Sequence, residues 1–162
     1  MSAPKIGRGS DARHAARIAA VQALYQMELA GGGAEETLAE FSEHRFGEFD
    51  VAPDEDFFAA ILRGVPQHQE EIDRSIAGSL AANWSLSRID SILRAILRCG
   101  LFELVARRDV PAKSVIDEYV AVSRAFFGAD EPGFVNGVLD TLAKKKRAKE
   151  FGLPIPEGEL DF

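Results

Sequence analysis

Cysteine is almost absent from this sequence of 162 residues, which contains only Cys99. One cysteine cannot form an intrachain disulfide or a thiolate metal cluster. Because Cys99 lies within an apolar helical pattern, we expect a small buried packing residue, with a nucleophile as the alternative. The cysteine count and the lack of an apolar run of signal-peptide length at the N-terminus lead us to expect a cytoplasmic protein.

Catalytic and cofactor motifs are also missing. The three histidines lie far apart with no metal-ligand spacing, and there is no Walker loop, nucleophile elbow or dinucleotide glycine fingerprint. The glycine triplet at 31–33 follows a helical segment and is better explained as a helix terminator than as a phosphate loop. These absences favour a binding protein that is not an enzyme and has neither cofactor nor metal.

Strand patterns are absent too, because no segment alternates with period two beside a hairpin turn, so we predict an all-α fold. The most apolar segment, 86–107, has helical spacing and too many charges for a membrane span. We predict it to be the central helix of a bundle of about seven, capped by Ser85 or Ser87 and ended before Pro111. The other predicted helices cover about 11–30, 34–46, 54–65, 67–80, 112–126 and 134–146.

Charge is unevenly distributed along the chain. The net charge is −7, yet both ends are basic. Residues 1–10 are predicted to be a flexible basic arm, and residues 147–162 a frayed tail. A local cationic patch can bind phosphates on an acidic protein, because physiological salt screens charges beyond about 8 Å. A second basic run consists of Lys144, Lys145, Lys146, Arg147 and Lys149.

Charged residues also occur within the apolar helices. Glu118 lies on the inner edge of the sixth predicted helix, and Arg94 and Arg98 lie one turn apart on the central helix. Since long charged side chains are rarely buried unpaired, we predict a structural pairing of Glu118 with one of these arginines.

Several motifs follow one another in a distinctive order: RHAAR at 13–17, AVQALY at 20–25, LR at 97–98 with FEL at 102–104, VP at 110–111, Glu118, and FVNGVLD at 134–140. With them, most of residues 11–142 resembles the bacterial NusB family of transcription antitermination factors. The resemblance implies an all-helical domain at 11–146 with subdomains at about 11–82 and 83–146. It also implies an RNA-binding adaptor that binds the boxA element of ribosomal RNA leader transcripts together with NusE, a small-subunit ribosomal protein, within the elongation complex that carries other Nus factors.

The same resemblance implies RNA-binding residues. The basic start of the first helix maps onto Arg13, His14 and Arg17, and Arg8 and Lys5 on the arm can add charge where Ala15 replaces an arginine common in the family. A solvated basic helix start is the alternative. Phe134 is implied to stack on RNA bases, with a core phenylalanine as the alternative.

Partner-binding and structural roles follow from the resemblance as well. Tyr25 is implied to contact NusE, and so is the position of Leu93, where the family often has an acidic residue. We favour an exposed, partner-facing Leu93 over a buried one. Asp130 and Glu131, in the loop before the last helix, are further partner-binding candidates. Asn136 and Gly137 are expected to be structural, the glycine allowing close helix approach, and a homodimer could use the partner-binding surface.

Two other functions are compatible with a helical fold of this kind. Some ribosomal RNA cytosine methyltransferases carry a NusB-like helical domain, but this sequence has neither the α/β cofactor domain nor the catalytic cysteines of such an enzyme. A helical protein-interaction module without an RNA role is the second alternative.

Overall fold

The computed structural model describes residues 8–162, with side chains from Asp11 onwards, so the predicted basic arm lies largely outside the described residues. The predicted all-α fold is confirmed: within the described part there are seven α-helices and no strand. They are α1 (Arg8–Ala30), α2 (Ala34–Glu40), α3 (Glu55–Gln67), α4 (Gln69–Ala77), α5 (Ser91–Ala106), α6 (Ala112–Phe126) and α7 (Glu131–Lys146).

The chain forms two compact units, one ending at Pro66 and one running from Gln67 to Phe162. The sequence analysis placed this division near residue 82. The earlier division follows from α4, which packs on α5 and belongs to the second unit. Pro66 lies within the last turn of α3, where its missing N–H and its ring prevent the helix from continuing far.

The first unit has an aromatic core. The Phe58 ring stacks on Phe41 at a centroid distance of 5.6 Å and meets Phe46 edge-on at 5.0 Å. Asp54 caps α3, because its Oδ1 accepts the Phe57 N–H at 3.0 Å. Gly31 and Gly32 have φ values of 78° and 99°, a left-handed conformation that ends α1, as expected for a terminating glycine.

In the second unit, α5 packs against α4, α6 and α7. The helix starts at Ser91, later than predicted, and its cap is Asp90, whose Oδ1 accepts the N–H groups of Ile92 and Leu93 at 2.9 and 3.3 Å. Residues 86–88 instead form a 3₁₀ turn. The apolar spacing continued through this turn, which is why the sequence pattern did not reveal the break.

The C-terminal segment begins with an ordered, buried residue, whereas the sequence analysis predicted fraying from residue 147 onwards. Arg147 is 2% exposed and donates to the carbonyl oxygens of Leu104 at 2.6 Å, Val110 at 3.0 Å and Arg107 at 3.0 Å. Two of these carbonyls belong to the last turn and C-cap of α5, where no intrahelical donor is available. Further along, the Phe162 ring stacks on His68 and Phe102.

Candidate nucleic-acid and partner interfaces

The start of α1 carries the predicted RNA-binding cations, and the structure separates their roles. Arg13 and Arg17 lie one turn apart, and each guanidinium carbon is 4.8 Å from the centroid of the Phe57 ring. Arg17 is only 2% exposed, whereas Arg13 and His14 are half-buried. Arg17 therefore packs against α3 and is corrected from an RNA contact to a structural residue. The side chain of Arg8 lies outside the described residues.

Phe134 lies in the first turns of α7, which starts at Glu131 and not at Phe134 as predicted. Its side chain is half-buried, and its ring centroid lies 5.8 Å from that of Trp84 at a tilt of 38°. Trp84 itself is 51% exposed. The two aromatic rings therefore form a surface pair, and Trp84 is a residue that the sequence analysis did not assign to a site. A lone tryptophan in a polar loop was the available signal.

The predicted partner-binding residues are not alike in exposure. Tyr25 is half-buried near the end of α1, and Leu29, one turn later, is 66% exposed, an apolar position that the sequence analysis overlooked. Asp130 is exposed and Glu131 is half-buried at the start of α7.

Leu93 does not have the exposure that we predicted. Its side chain is only 8% exposed, and Ile92 is the residue of this turn that is left half-exposed. The expectation of a partner-facing leucine is corrected, because Leu93 lies in one buried row of α5 with Leu97 and Leu101, at a spacing of four residues.

The arginines of α5 have structural partners. The Arg98 guanidinium forms a bidentate ion pair with Asp73 of α4, at 2.8 and 3.0 Å. Arg94 donates to the Ser91 hydroxyl at 3.0 Å and to carbonyl oxygens of the 3₁₀ turn before α5. Glu118 is half-buried, and its pairing with Arg94 or Arg98 stays a prediction. The Asp73 contact was missed because the spacing within α4 and α5 does not show which faces of these consecutive helices meet.

Asn136 and Gly137 are both exposed, in contrast to the predicted structural roles. Asn136 lines an open pocket with Asp117 and Arg124 of α6. A Cβ at Gly137 would meet no atom within 4 Å, so this glycine does not allow a close helix approach. That role belongs to Gly100 of α5, where a Cβ would lie 2.8 Å from Leu139 of α7.

Buried polar chemistry in the second unit is structural. Glu103 and Tyr119 are fully buried and hydrogen-bonded to each other, the phenol donating to the carboxylate. Cys99 is a buried packing residue, as predicted, and burial raises the pKa of its thiol, which disfavours a nucleophilic thiolate. Among the described side chains no cluster suited to a metal ion is found, and no helix of that part is long and apolar enough to span a membrane.

Comparison with known proteins gives one consistent result. The family model described as NusB family matches residues 14–144. The transcription antitermination protein NusB of Bartonella tribocorum is 52% identical over 145 residues, covering 86% of this chain and 93% of that protein. Its counterpart in Rhodopseudomonas palustris strain TIE-1 is 48% identical over 153 residues, covering 91% and 88%.

Solved structures agree with the sequence relatives. The structure "T. maritima NusB, P3121, Form 2" has a TM-score of 0.73 at 28% identity and covers 94% of this chain and 100% of that one. A chain in "Crystal Structure of a Plectonemic RNA Supercoil" has a TM-score of 0.68, also at 28% identity, and covers 79% and 91%. This chain belongs to the NusB family of transcription antitermination proteins, which are not enzymes.

Proposed function

We propose that this protein is an RNA-binding adaptor that binds the boxA element of ribosomal RNA leader transcripts together with NusE. The observation that carries the proposal is the position of Phe134, which begins the FVNGVLD motif and is partly open to solvent instead of buried in the core. Aromatic side chains at a surface can stack on unpaired bases. This chain is also similar in structure to a chain in "Crystal Structure of a Plectonemic RNA Supercoil", and that similarity supports the proposal of an RNA ligand.

The distribution of surface cations supports weak binding of RNA by the protein alone. The net charge is −7, and two of the predicted or potential cationic contacts, Arg17 and Arg147, are buried. Each cation that contacts a phosphate contributes to affinity through counterion release, and these two buried arginines are not available for such contacts. Arg13 and His14 remain the candidates on α1. The proposal therefore assigns the further contacts that tight binding requires to NusE.

The partner surface that we propose for NusE lies at the end of α1. Tyr25 is half-buried and Leu29 is 66% exposed, one turn apart on the same helix face. An aromatic residue beside an exposed aliphatic one is a suitable centre for a protein interface. Asp130 and Glu131 are further contact candidates for the elongation complex with its other Nus factors. A homodimer formed through the α1 surface would compete with NusE.

The experiment that tests the RNA role is a pair of substitutions. Phe134→Ala should lower affinity for boxA RNA by about 1 to 3 kcal/mol with little change in the salt dependence, since a stacked base is lost and no phosphate contact. Phe127→Ala is the matched control, because Phe127 is also half-buried in this unit but lies outside the aromatic pair. If Phe134→Ala instead lowers thermal stability and leaves the affinity of the folded fraction unchanged, Phe134 is a core residue and the proposal fails.

A further inference from the structure

Trp84 is unusual among the exposed apolar residues of this protein. Across the described part of the chain, the other large hydrophobic side chains that are strongly exposed are all aliphatic: Leu29, Leu153, Ile155 and Leu160. Trp84 is 51% exposed although it already packs against Phe134 at a centroid distance of 5.8 Å. Half of a large indole ring is therefore left in water beside a second aromatic ring.

The surroundings of Trp84 favour a nucleic-acid ligand over a protein one. Its neighbours Asn83, Ser85 and Ser87 are exposed and polar, and Arg88 adds an exposed cation. Residues 80–89 contain no acid in a chain that is acidic overall. Exposed polar groups and a cation around the two rings, with no acid in this stretch, match the base edges and phosphates of a nucleic acid. An unpaired base requires only a ring to stack on and polar groups near its edges.

Gly137 supplies a second, independent observation. It lies within α7, three residues after Phe134 and so on the same side of the helix. A glycine inside a helix is less stable than an alanine. A glycine is often needed where φ is positive or where a neighbour leaves no room for a Cβ. Gly137 meets neither condition, since its φ is not positive and a Cβ there would meet nothing within 4 Å. Gly137 therefore leaves the backbone of α7 open to a molecule outside the chain at this point.

We propose that Trp84 and Phe134 form one stacking surface for two unpaired bases of single-stranded RNA, and that Gly137 allows the RNA to approach the backbone of α7 beside them. This inference rests on the proposed RNA-binding function and extends it to a residue and a backbone position. Within the second unit, this surface contributes base stacking and not phosphate contacts.

Trp84 is the only tryptophan in the chain, so its fluorescence reports this surface directly. Titration with single-stranded boxA-like RNA should quench the emission, and an abasic RNA of the same length and charge should bind weakly without quenching. Trp84→Leu should lower the affinity about 5- to 150-fold, and Trp84→Phe should restore most of it. Ile155→Ala is the control, since Ile155 is 62% exposed in the same unit but belongs to the C-terminal segment.

Gly137→Ala separates a loss of RNA binding from a loss of folding. Alanine should raise the melting temperature, because it favours the helix and has room for its methyl group. The same variant should bind RNA several-fold more weakly. The stacking surface would be refuted if RNA bound without quenching Trp84 emission and if Trp84→Leu and Gly137→Ala bound it with full affinity. That result would leave the RNA-binding function itself intact. Absence of any RNA binding by the wild type, with or without NusE, would refute the proposed function itself. Quenching by NusE without RNA would assign the surface to a protein partner and also overturn the inference.

Discussion

Replacing Arg147 by methionine should destabilise the second unit by about 3 to 5 kcal/mol, as expected when several hydrogen bonds from one buried charged group are lost. The guanidinium is 2% exposed and donates to the carbonyl oxygens of Leu104, Arg107 and Val110 as well as to Glu150 at 2.6 Å. Hydrogen bonds to a charged group contribute about 1.5 to 3 kcal/mol each but do not add fully. Methionine is unbranched and apolar like the aliphatic part of arginine, but it is shorter and has no donor, so the carbonyls would be left unpaired.

The assay is urea unfolding followed by circular dichroism, supported by a thermal melt. A loss of this size should lower the melting temperature by about 6 to 20 °C. The stability of Arg147→Lys should fall between those of the wild type and Arg147→Met, because one ammonium group cannot reach every carbonyl that the planar guanidinium reaches. Lys145→Met is the control, since Lys145 belongs to the same basic run but is exposed, and it should change stability by less than about 0.5 kcal/mol. Equal effects of Arg147→Met and Lys145→Met, or a stable Arg147→Met with a reduced salt slope for RNA, would refute the structural role.

Three further predictions concern single positions. Arg13→Ala should reduce the slope of log K against log salt by about 0.7 for single-stranded RNA, as measured by fluorescence titration at several salt concentrations. Arg17→Ala should instead lower the melting temperature, as measured by a thermal melt. Leu93→Glu should destabilise the fold by several kcal/mol by burying an unpaired charge, and an unaltered urea midpoint would contradict this. The stability difference between wild type and Glu150→Gln should be largest at neutral pH and vanish as the pH falls below about 4.5. Burial opposes ionisation of Glu150, but the Ala112 N–H and Arg147 outweigh it and lower its pKa, so the stabilisation is lost once that carboxyl is protonated.

The helices themselves were predictable because their apolar residues repeat at helical spacing in long segments. The start of α5 was not, since Leu86 and Ile89 continue that spacing through a 3₁₀ turn, and only the Asp90 side chain shows where the helix begins. Exposed and buried faces of one helix turn are also hard to separate by spacing alone. Leu93 and Ile92 are adjacent apolar residues of one turn, yet Leu93 is buried and Ile92 lies at the edge of the core.

The candidate site was less predictable than the fold, because its geometry depends on residues distant in sequence. Arg17 has the pattern of a solvated cation, and its burial depends on Phe57 of α3. Arg147 stands in a lysine-rich run, and its acceptors lie about 40 residues earlier at the end of α5. Trp84 becomes a candidate only beside Phe134. Such pairings are set by tertiary packing, on which local patterns carry no information.

The adaptor role is tested most directly by titrating boxA RNA into the protein at fixed salt, with and without NusE, alongside an unrelated RNA of equal length. We expect weak binding by the protein alone, because Arg17 and Arg147 are buried and the chain is acidic overall, and much tighter binding of boxA RNA when NusE is present. The unrelated RNA should gain little from NusE. Equal affinity for boxA RNA with and without NusE would contradict the adaptor role.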